Sequence, residues 1–120
     1  MSYDQSNIFA RILRGDLPCK KIAEDQYTLA FEDINPQAPV HILVIPKGSY
    51  VDWSDFSCNA SDVEQRAFMK MIGHVASLAE ITDSGYRVIS NSGNHGHQEV
   101  PHLHMHVLGG AAIGPMVSRR

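Results

Sequence analysis

Near the C-terminal end of the chain three histidines alternate with apolar residues, His102-Leu103-His104-Met105-His106-Val107-Leu108. In an extended backbone every second side chain points to the same face. A strand over 102–108 therefore lines up three imidazoles on one face and sends Leu103, Met105 and Val107 into the core from the other. Imidazole is the side chain that attacks, takes up a proton or binds a metal near neutral pH. Three readings compete. Each ring could satisfy only a local hydrogen bond. Two rings plus a remote ligand could hold a catalytic zinc, although same-face strand neighbours ~6.5–7 Å apart prevent all three from reaching one ion. The third reading is nucleophilic catalysis, with one imidazole attacking while its neighbours orient it and supply protons.

The elements that must hold these rings are legible from pattern. Asn7 or Ser6 caps a short helix through roughly Arg14, with Ile8/Ile12 and Phe9/Leu13 paired at i,i+4. Gly15 and Pro18 stop it. Lys20–Glu24 and Tyr27–Phe31 read as a hairpin, and Asp33–Pro39 as a loop stiffened by two prolines. His41–Ile45 is an apolar, β-branched strand ended by Pro46 and Gly48. Residues 49–60 read as a polar loop carrying Trp53 and Phe56. Ser61 and Glu64 form a capping box, and the helix after them runs to about Ile81 on a stripe of Phe68, Ile72, Val75 and Ala79. Gly85–Ser90 is a further strand, Asn91–Glu99 a Gly/Asn/His-rich loop, and Gly109-Gly110 closes the histidine strand. Grouped strands with short links predict an α+β fold with an antiparallel sheet.

Bulk properties narrow the function. The 120 residues fit one domain with one core, and 43% are apolar, near the globular average. The net charge of -3 argues against a nucleic-acid binder, which usually shows a basic stripe; here the C-terminal Arg119-Arg120 pair concentrates positive charge. Cys19 and Cys58 match no metal-binding spacing, and two free thiols in a reducing compartment are expected. The N-terminus shows no signal-peptide pattern, and the longest apolar run is far below the ~18 residues that span a bilayer. A soluble, cytoplasmic protein without a membrane partner is expected.

The run His102-X-His104-X-His106-X-X, with apolar X, resembles the motif of the histidine triad (HIT) family. Phe31-Glu32-Asp33-Ile34-Asn35-Pro36-Gln37-Ala38-Pro39-Val40-His41-Ile42-Leu43-Val44-Ile45-Pro46-Lys47 is similar to the second signature block of its Hint branch. Ile8-Phe9, Arg11-Ile12-Leu13 and Gly15-Asp16-Leu17-Pro18 resemble that branch's N-terminal helix. Gly96-His97-Gln98-Glu99-Val100, Gly109-Gly110 and Gly114-Pro115-Met116 look like its bacterial members. The likeness covers most of the chain outside roughly 49–60.

The resemblance implies an antiparallel sheet of about five strands with two helices, joined to a second sheet across a homodimer. It implies a purine nucleoside phosphoramidase that needs no metal or other cofactor. Such an enzyme cleaves the P–N bond of nucleoside 5′-phosphoramidates and aminoacyl-adenylate-like compounds and releases AMP or GMP. His104 would be the nucleophile, and His106 would contact the scissile phosphate and leaving group. His102 and His41 would complete the imidazole network. Asn91, Gln98 and Glu99 would hold the phosphate side, and Asp33 the ribose hydroxyls. Ile8, Phe9, Ile12, Phe31, Ile34 and Leu43 would line the base pocket; by pattern alone these six read as core. Asp33 reads equally as an Asx turn before Pro36.

Three departures stand out. His97 occupies a position that most members give to glycine, and Glu99 one that many eukaryotic members give to serine. Ala111-Ala112 replaces a more basic tail. His74 and His95 are expected on the solvated surface. The alternatives are a dinucleoside polyphosphate hydrolase of the same fold, a nucleotide-binding regulatory protein with little turnover, and a zinc-dependent site.

Overall fold

A computed structural model describes residues 2–117. The basic pair Arg119-Arg120 lies outside the described residues. The chain forms α1 (Ile8–Leu13), β1 (Lys21–Glu24), β2 (Thr28–Glu32), β3 (Val40–Pro46), α2 (Trp53–Asn59), α3 (Asp62–Leu78), β4 (Tyr86–Ile89) and β5 (Met105–Gly109). The five strands make one antiparallel sheet in the order β1-β2-β3-β5-β4. The predicted α+β class and five-stranded sheet are therefore observed, with three helices instead of two.

Strand alternation divides the core in two. On one face Ala30, Ile42, Val44, Met105 and Val107 pack with Phe68, Met71, Val75 and Ala76 of α3. On the other, Leu29, Phe31, Leu43 and Ile45 pack with Phe9 of α1. The register carries this second face across the sheet, pairing Phe31 with Leu43 and Leu43 with His106. The histidines share the α1 face because they fall in step with Leu43, not with Ile42 or Val44.

The expected 102–108 strand is shorter at its start. β5 begins at Met105, which pairs with Val44. Continuing that register would set Leu103 against Pro46, which has no N–H for the ladder. The Leu103 amide donates instead to the Tyr50 carbonyl (2.8 Å), and the His102 amide to that of Val100 (2.9 Å). The alternation survives: Leu103 is buried in the α3-side core, and His102 and His104 face the other way.

The expected loop 49–60 contains α2. Asp52 caps it by accepting from the Asp55 amide (2.9 Å), and Asp55 accepts from the Val51 amide (2.8 Å). Phe56 is buried against Phe68, with centroids 5.1 Å apart, and Trp53 lies over the same ring. The Asp52-x-x-Asp55 spacing carries this signal, but a seven-residue helix is too short to show a periodic stripe. Helix α3 starts at the predicted capping box, with both Ser61 and Glu64 bonds formed. It ends at Leu78 rather than Ile81. Glu80 takes a left-handed φ of 58°, its amide bonds Ser77, and the Ile81 amide bonds Ala76. This Schellman turn drives Ile81 back into the core. The buried stripe is Phe68, Met71, Val75 and Ala76, with Ile72 and Ala79 at its margin. Cys19 and Cys58 are free and exposed, and His74 and His95 are exposed. Among the described residues no helix is long and apolar enough to cross a membrane.

The loop from Asn91 to Pro101 is shaped by its backbone. A Cβ on Gly96 would meet the Ser92 carbonyl oxygen at 2.4 Å, so only glycine fits there. The next residue, His97, has a φ of 60°, the left-handed region that disfavours side chains. Its contact with Glu99 joins two exposed groups at 3.3 Å and offsets little of that cost. His97→Gly is expected to raise unfolding stability by roughly 0.5–1 kcal/mol, the left-handed penalty less glycine's extra chain entropy. Urea denaturation reads this directly, and a lowered midpoint would show that the His97–Glu99 contact outweighs the backbone strain.

Candidate active site

Four imidazoles converge on the α1 face, and the partner of each ring nitrogen decides where its proton sits. A carbonyl only accepts, so a ring nitrogen bonded to one must carry hydrogen. His104 Nδ1 lies 2.8 Å from the His102 carbonyl oxygen and donates to it. Its Nε2 is therefore the nitrogen with the free lone pair. His102 Nε2 donates to the Pro46 carbonyl (2.8 Å), and its Nδ1 accepts from the Tyr3 hydroxyl. Pro46 thus ends the β3–β5 ladder and anchors the first histidine of the row.

The second pair runs in the opposite sense. His41 Nδ1 accepts from the Gln37 amide (3.0 Å), which leaves the proton on Nε2. That Nε2 lies 2.9 Å from His106 Nδ1 and 3.3 Å from Asp33 Oδ2. His106 Nδ1 is thereby the acceptor, and its Nε2 carries the hydrogen. The His104 and His106 centroids are 5.0 Å apart, with planes at 66°. A lone-pair nitrogen and an N–H donor are set side by side. Phe9 meets the His104 ring edge-on at 5.0 Å and the His102 ring at 6.2 Å.

Burial keeps these rings neutral. His102 is fully buried and His104 nearly so. Loss of hydration pushes His102 and His106 down to about 4, from an ordinary value near 6.5. The charge of His104 also acts against protonation of both rings. His104 and His41 are lowered too, in each case mainly by burial. For His104 the bond to the His102 carbonyl, then the carboxylates of Asp33 and Glu99, work in the opposite direction.

Asp33, His41 and His106 place three potential metal ligands within 4.8 Å of one another. Two nitrogens on a tetrahedral zinc sit about 3.3 Å apart, from Zn–N distances near 2.0–2.1 Å. The 2.9 Å separation of His41 and His106 is that of a hydrogen bond, matched by proton positions that make one ring donor and the other acceptor.

The remaining expected residues divide. Asp33 forms the Asx turn, accepting from the Asn35 amide (2.8 Å), while its other oxygen faces His41. Phe9, Phe31 and Leu43 are buried together, with Ile12 at their edge. Ile8 and Ile34 stand outside this cluster and are exposed. Asn91 lies two residues past the end of β4 and is half-buried. Glu99 is exposed beside His97. The Gln98 carboxamide is spent inside the protein. It accepts from the Gly93 amide (3.0 Å) and donates to the Val51 (2.7 Å) and Val100 (2.9 Å) carbonyls. It ties the glycine-rich loop to the segment before α2 and to the approach to His102. Tyr3 lies outside every motif in the sequence, and Pro46 reads there only as the end of its strand, so neither the Tyr3 hydroxyl nor the Pro46 carbonyl is legible as a partner of His102.

Known proteins resemble this chain over nearly its whole length. The family model described as "HIT domain" matches residues 14–113. An uncharacterized 13.2 kDa HIT-like protein of Azospirillum brasilense is 54% identical over 118 residues, covering 98% of this chain and 97% of that one. The purine nucleoside phosphoramidase of Escherichia coli K12 is 40% identical over 119 residues, covering 97% of each. A solved histidine triad protein from Clostridium difficile superposes with a TM-score of 0.84 at 37% identity, covering 97% of this chain and all of that one. With His102, His104 and His106 on one face and the family model spanning most of its length, the chain belongs to the histidine triad family, on its Hint-like branch.

Proposed function

We propose that this protein is a nucleotidyl hydrolase that cleaves the P–N bond of purine nucleoside 5′-phosphoramidates through a nucleotidyl-His104 intermediate. One observation carries the reading. The His104 Nδ1–H is held by the His102 carbonyl, which leaves Nε2 unprotonated on a ring 5.0 Å from that of His106, whose Nδ1 is engaged by His41 and whose proton is therefore on Nε2. The 40% identity to an Escherichia coli protein named as a purine nucleoside phosphoramidase supports the same reaction class.

The chemistry follows from the proton positions. His104 Nε2 attacks phosphorus, the N–P bond forms and the bond to the leaving nitrogen breaks. The ring becomes cationic, and the His102 carbonyl, already accepting from Nδ1–H, stabilises that charge. An amine leaves poorly without a proton. An anionic phosphate brought against His106 favours the protonated form of the His41–His106 pair, which then supplies that proton. Asp33, beside His41, favours positive charge on the pair. Water next attacks phosphorus and gives up a proton to the His41–His106 pair, which is neutral after protonating the amine; the P–Nε2 bond breaks, and His104 returns to its neutral tautomer. Phe9, Phe31, Leu43 and Ile12 form the floor for the base, with Ile8 and Ile34 exposed at its margin. Asp33 receives the ribose hydroxyls, and the Asn91–Glu99 loop borders the phosphate. A homodimer belongs to the same reading: β4 has a neighbour on one side only, with Tyr86 and Val88 exposed on it.

Incubation with adenosine 5′-phosphoramidate in EDTA is expected to release AMP, and an acid quench to trap a nucleotidylated peptide containing His104. His104→Ala is expected to abolish turnover while AMP still binds by calorimetry; full activity in that variant refutes the nucleophile. kcat/KM is expected to fall at acid pH as His104 protonates, with that limb below the ordinary histidine range because burial lowers the group. Stability follows the same sign. Folded His102 and His106 titrate near 4 and their unfolded counterparts near 6.5, so the unfolded chain binds more protons between these values. Their contribution is complete above about pH 6.5. It is lost as pH falls towards 4, by up to about 1.4 kcal/mol per pH unit for each ring. Thermal unfolding against pH reads this slope, and a flat profile over that window would show that the rings are not buried neutral. Sedimentation is expected to give a dimer that substitution of Val88 by Lys weakens; a wild-type monomer at micromolar concentration refutes the assembly.

A further inference from the structure

Tyr3 lies outside every motif described above, yet its hydroxyl bonds His102 Nδ1, 99 positions along the chain. The arm that carries it is fastened to α1. The Asp4 carbonyl accepts from the Asn7 amide (3.2 Å) and from the Asn7 side chain (2.8 Å). Arg14 reaches back to the Gln5 carbonyl (2.6 Å), and Asn7 itself caps α1 by accepting from Ala10. The Tyr3 ring meets the His102 ring edge-on at 5.5 Å. Partial burial raises the Tyr3 hydroxyl above its ordinary value, so it stays protonated and able to donate.

The buried His102 ring requires such a donor. Its Nε2 proton is committed to the Pro46 carbonyl, so in the neutral ring Nδ1 carries only a lone pair. A fully buried acceptor without a partner is costly, and no water reaches a ring with no exposed surface. Tyr3 supplies the missing hydrogen. The consequence extends beyond His102, because the backbone carbonyl of that residue holds His104 Nδ1–H. A His102 ring free to turn or to bind water loosens the segment whose carbonyl selects the reactive tautomer.

We propose that Tyr3 is a positioning residue: its hydroxyl locks the His102 ring, and through the His102 carbonyl keeps His104 in the tautomer with Nε2 unprotonated. For turnover this rests on the proposed hydrolase reading, whereas the tautomer itself does not. The test compares wild type, Tyr3→Phe and Tyr3→Leu by 15N spectra of the histidine rings and by hydrolysis of adenosine 5′-phosphoramidate. In Tyr3→Phe the His102 Nδ1 signal is expected to move to that of an unbonded imine nitrogen, and His104 to show a mixture of tautomers. kcat is expected to fall on the order of tenfold with KM unchanged, as for other loosened supports of a reacting group. Tyr3→Leu, which also removes the ring, should lower kcat to a similar extent, because the hydroxyl and not the packing is responsible. Unchanged His102 and His104 signals in Tyr3→Phe overturn the proposal, as does wild-type kcat in Tyr3→Phe with loss only in Tyr3→Leu. A wild type that releases no AMP refutes the hydrolase reading, and the ring signals then decide the role of Tyr3 by themselves.

Discussion

The site depends on one constraint: an imidazole removed from water must be neutral, and each of its nitrogens must then be matched as donor or acceptor. His102 and His104 are buried almost completely, and burial favours the uncharged ring. Neutrality alone leaves two tautomers. The choice is made by backbone carbonyls, Pro46 for His102 and His102 for His104, because a carbonyl can only accept. The same logic, inverted, uses the Gln37 amide to place the proton of His41 on Nε2 and so to make His106 Nδ1 an acceptor. Two backbone carbonyls and one backbone amide give four equivalent side chains distinct proton positions, which the proposed mechanism uses as a nucleophile, a donor and their two supports.

The sheet makes this arrangement compatible with a stable fold. Its α3 face is an ordinary apolar core, where Leu103, Met105 and Val107 interleave with Phe68, Met71 and Val75. That face stabilises the segment whose alternate residues are the histidines, so the rings are held by packing on the far side of their own backbone. The α1 face carries the chemistry, with Phe9 serving both the apolar cluster and the wall beside His104. Pro46 has a double consequence. Lacking an N–H, it ends the ladder and frees the backbone at 102–104 to turn, and its carbonyl is the partner of His102. Burying histidines on one face costs stability at acid pH, which is the thermodynamic counterpart of holding their rings unprotonated.

Most of the fold was legible because the deciding signals were local. The Ser61/Glu64 capping box, the β-branched run at His41–Ile45 and the period-two histidine run each reflect interactions within a few residues. Helix α2 was not legible, because seven residues show no periodicity and its Asp52/Asp55 cap resembles a loop. The end of α3 was misplaced because Ile81 continues the apolar pattern while a left-handed Glu80 turns the chain. The start of β5 was misplaced because its limit is set by Pro46 on another strand.

The identity of the chemical groups, and the face on which they stand, follow from the sequence by itself, since alternation is a property of extended backbone and needs no partner. The proton positions do not. Which nitrogen of His104 keeps its lone pair depends on a carbonyl two residues away, in a conformation that the Tyr50 carbonyl and Pro46 impose from elsewhere in the chain. That Gln98 is consumed as a brace, and that Tyr3 meets His102, are likewise facts of tertiary structure. A hydrogen bond between groups 99 residues apart leaves no periodic trace, because only the folded chain brings donor and acceptor within reach.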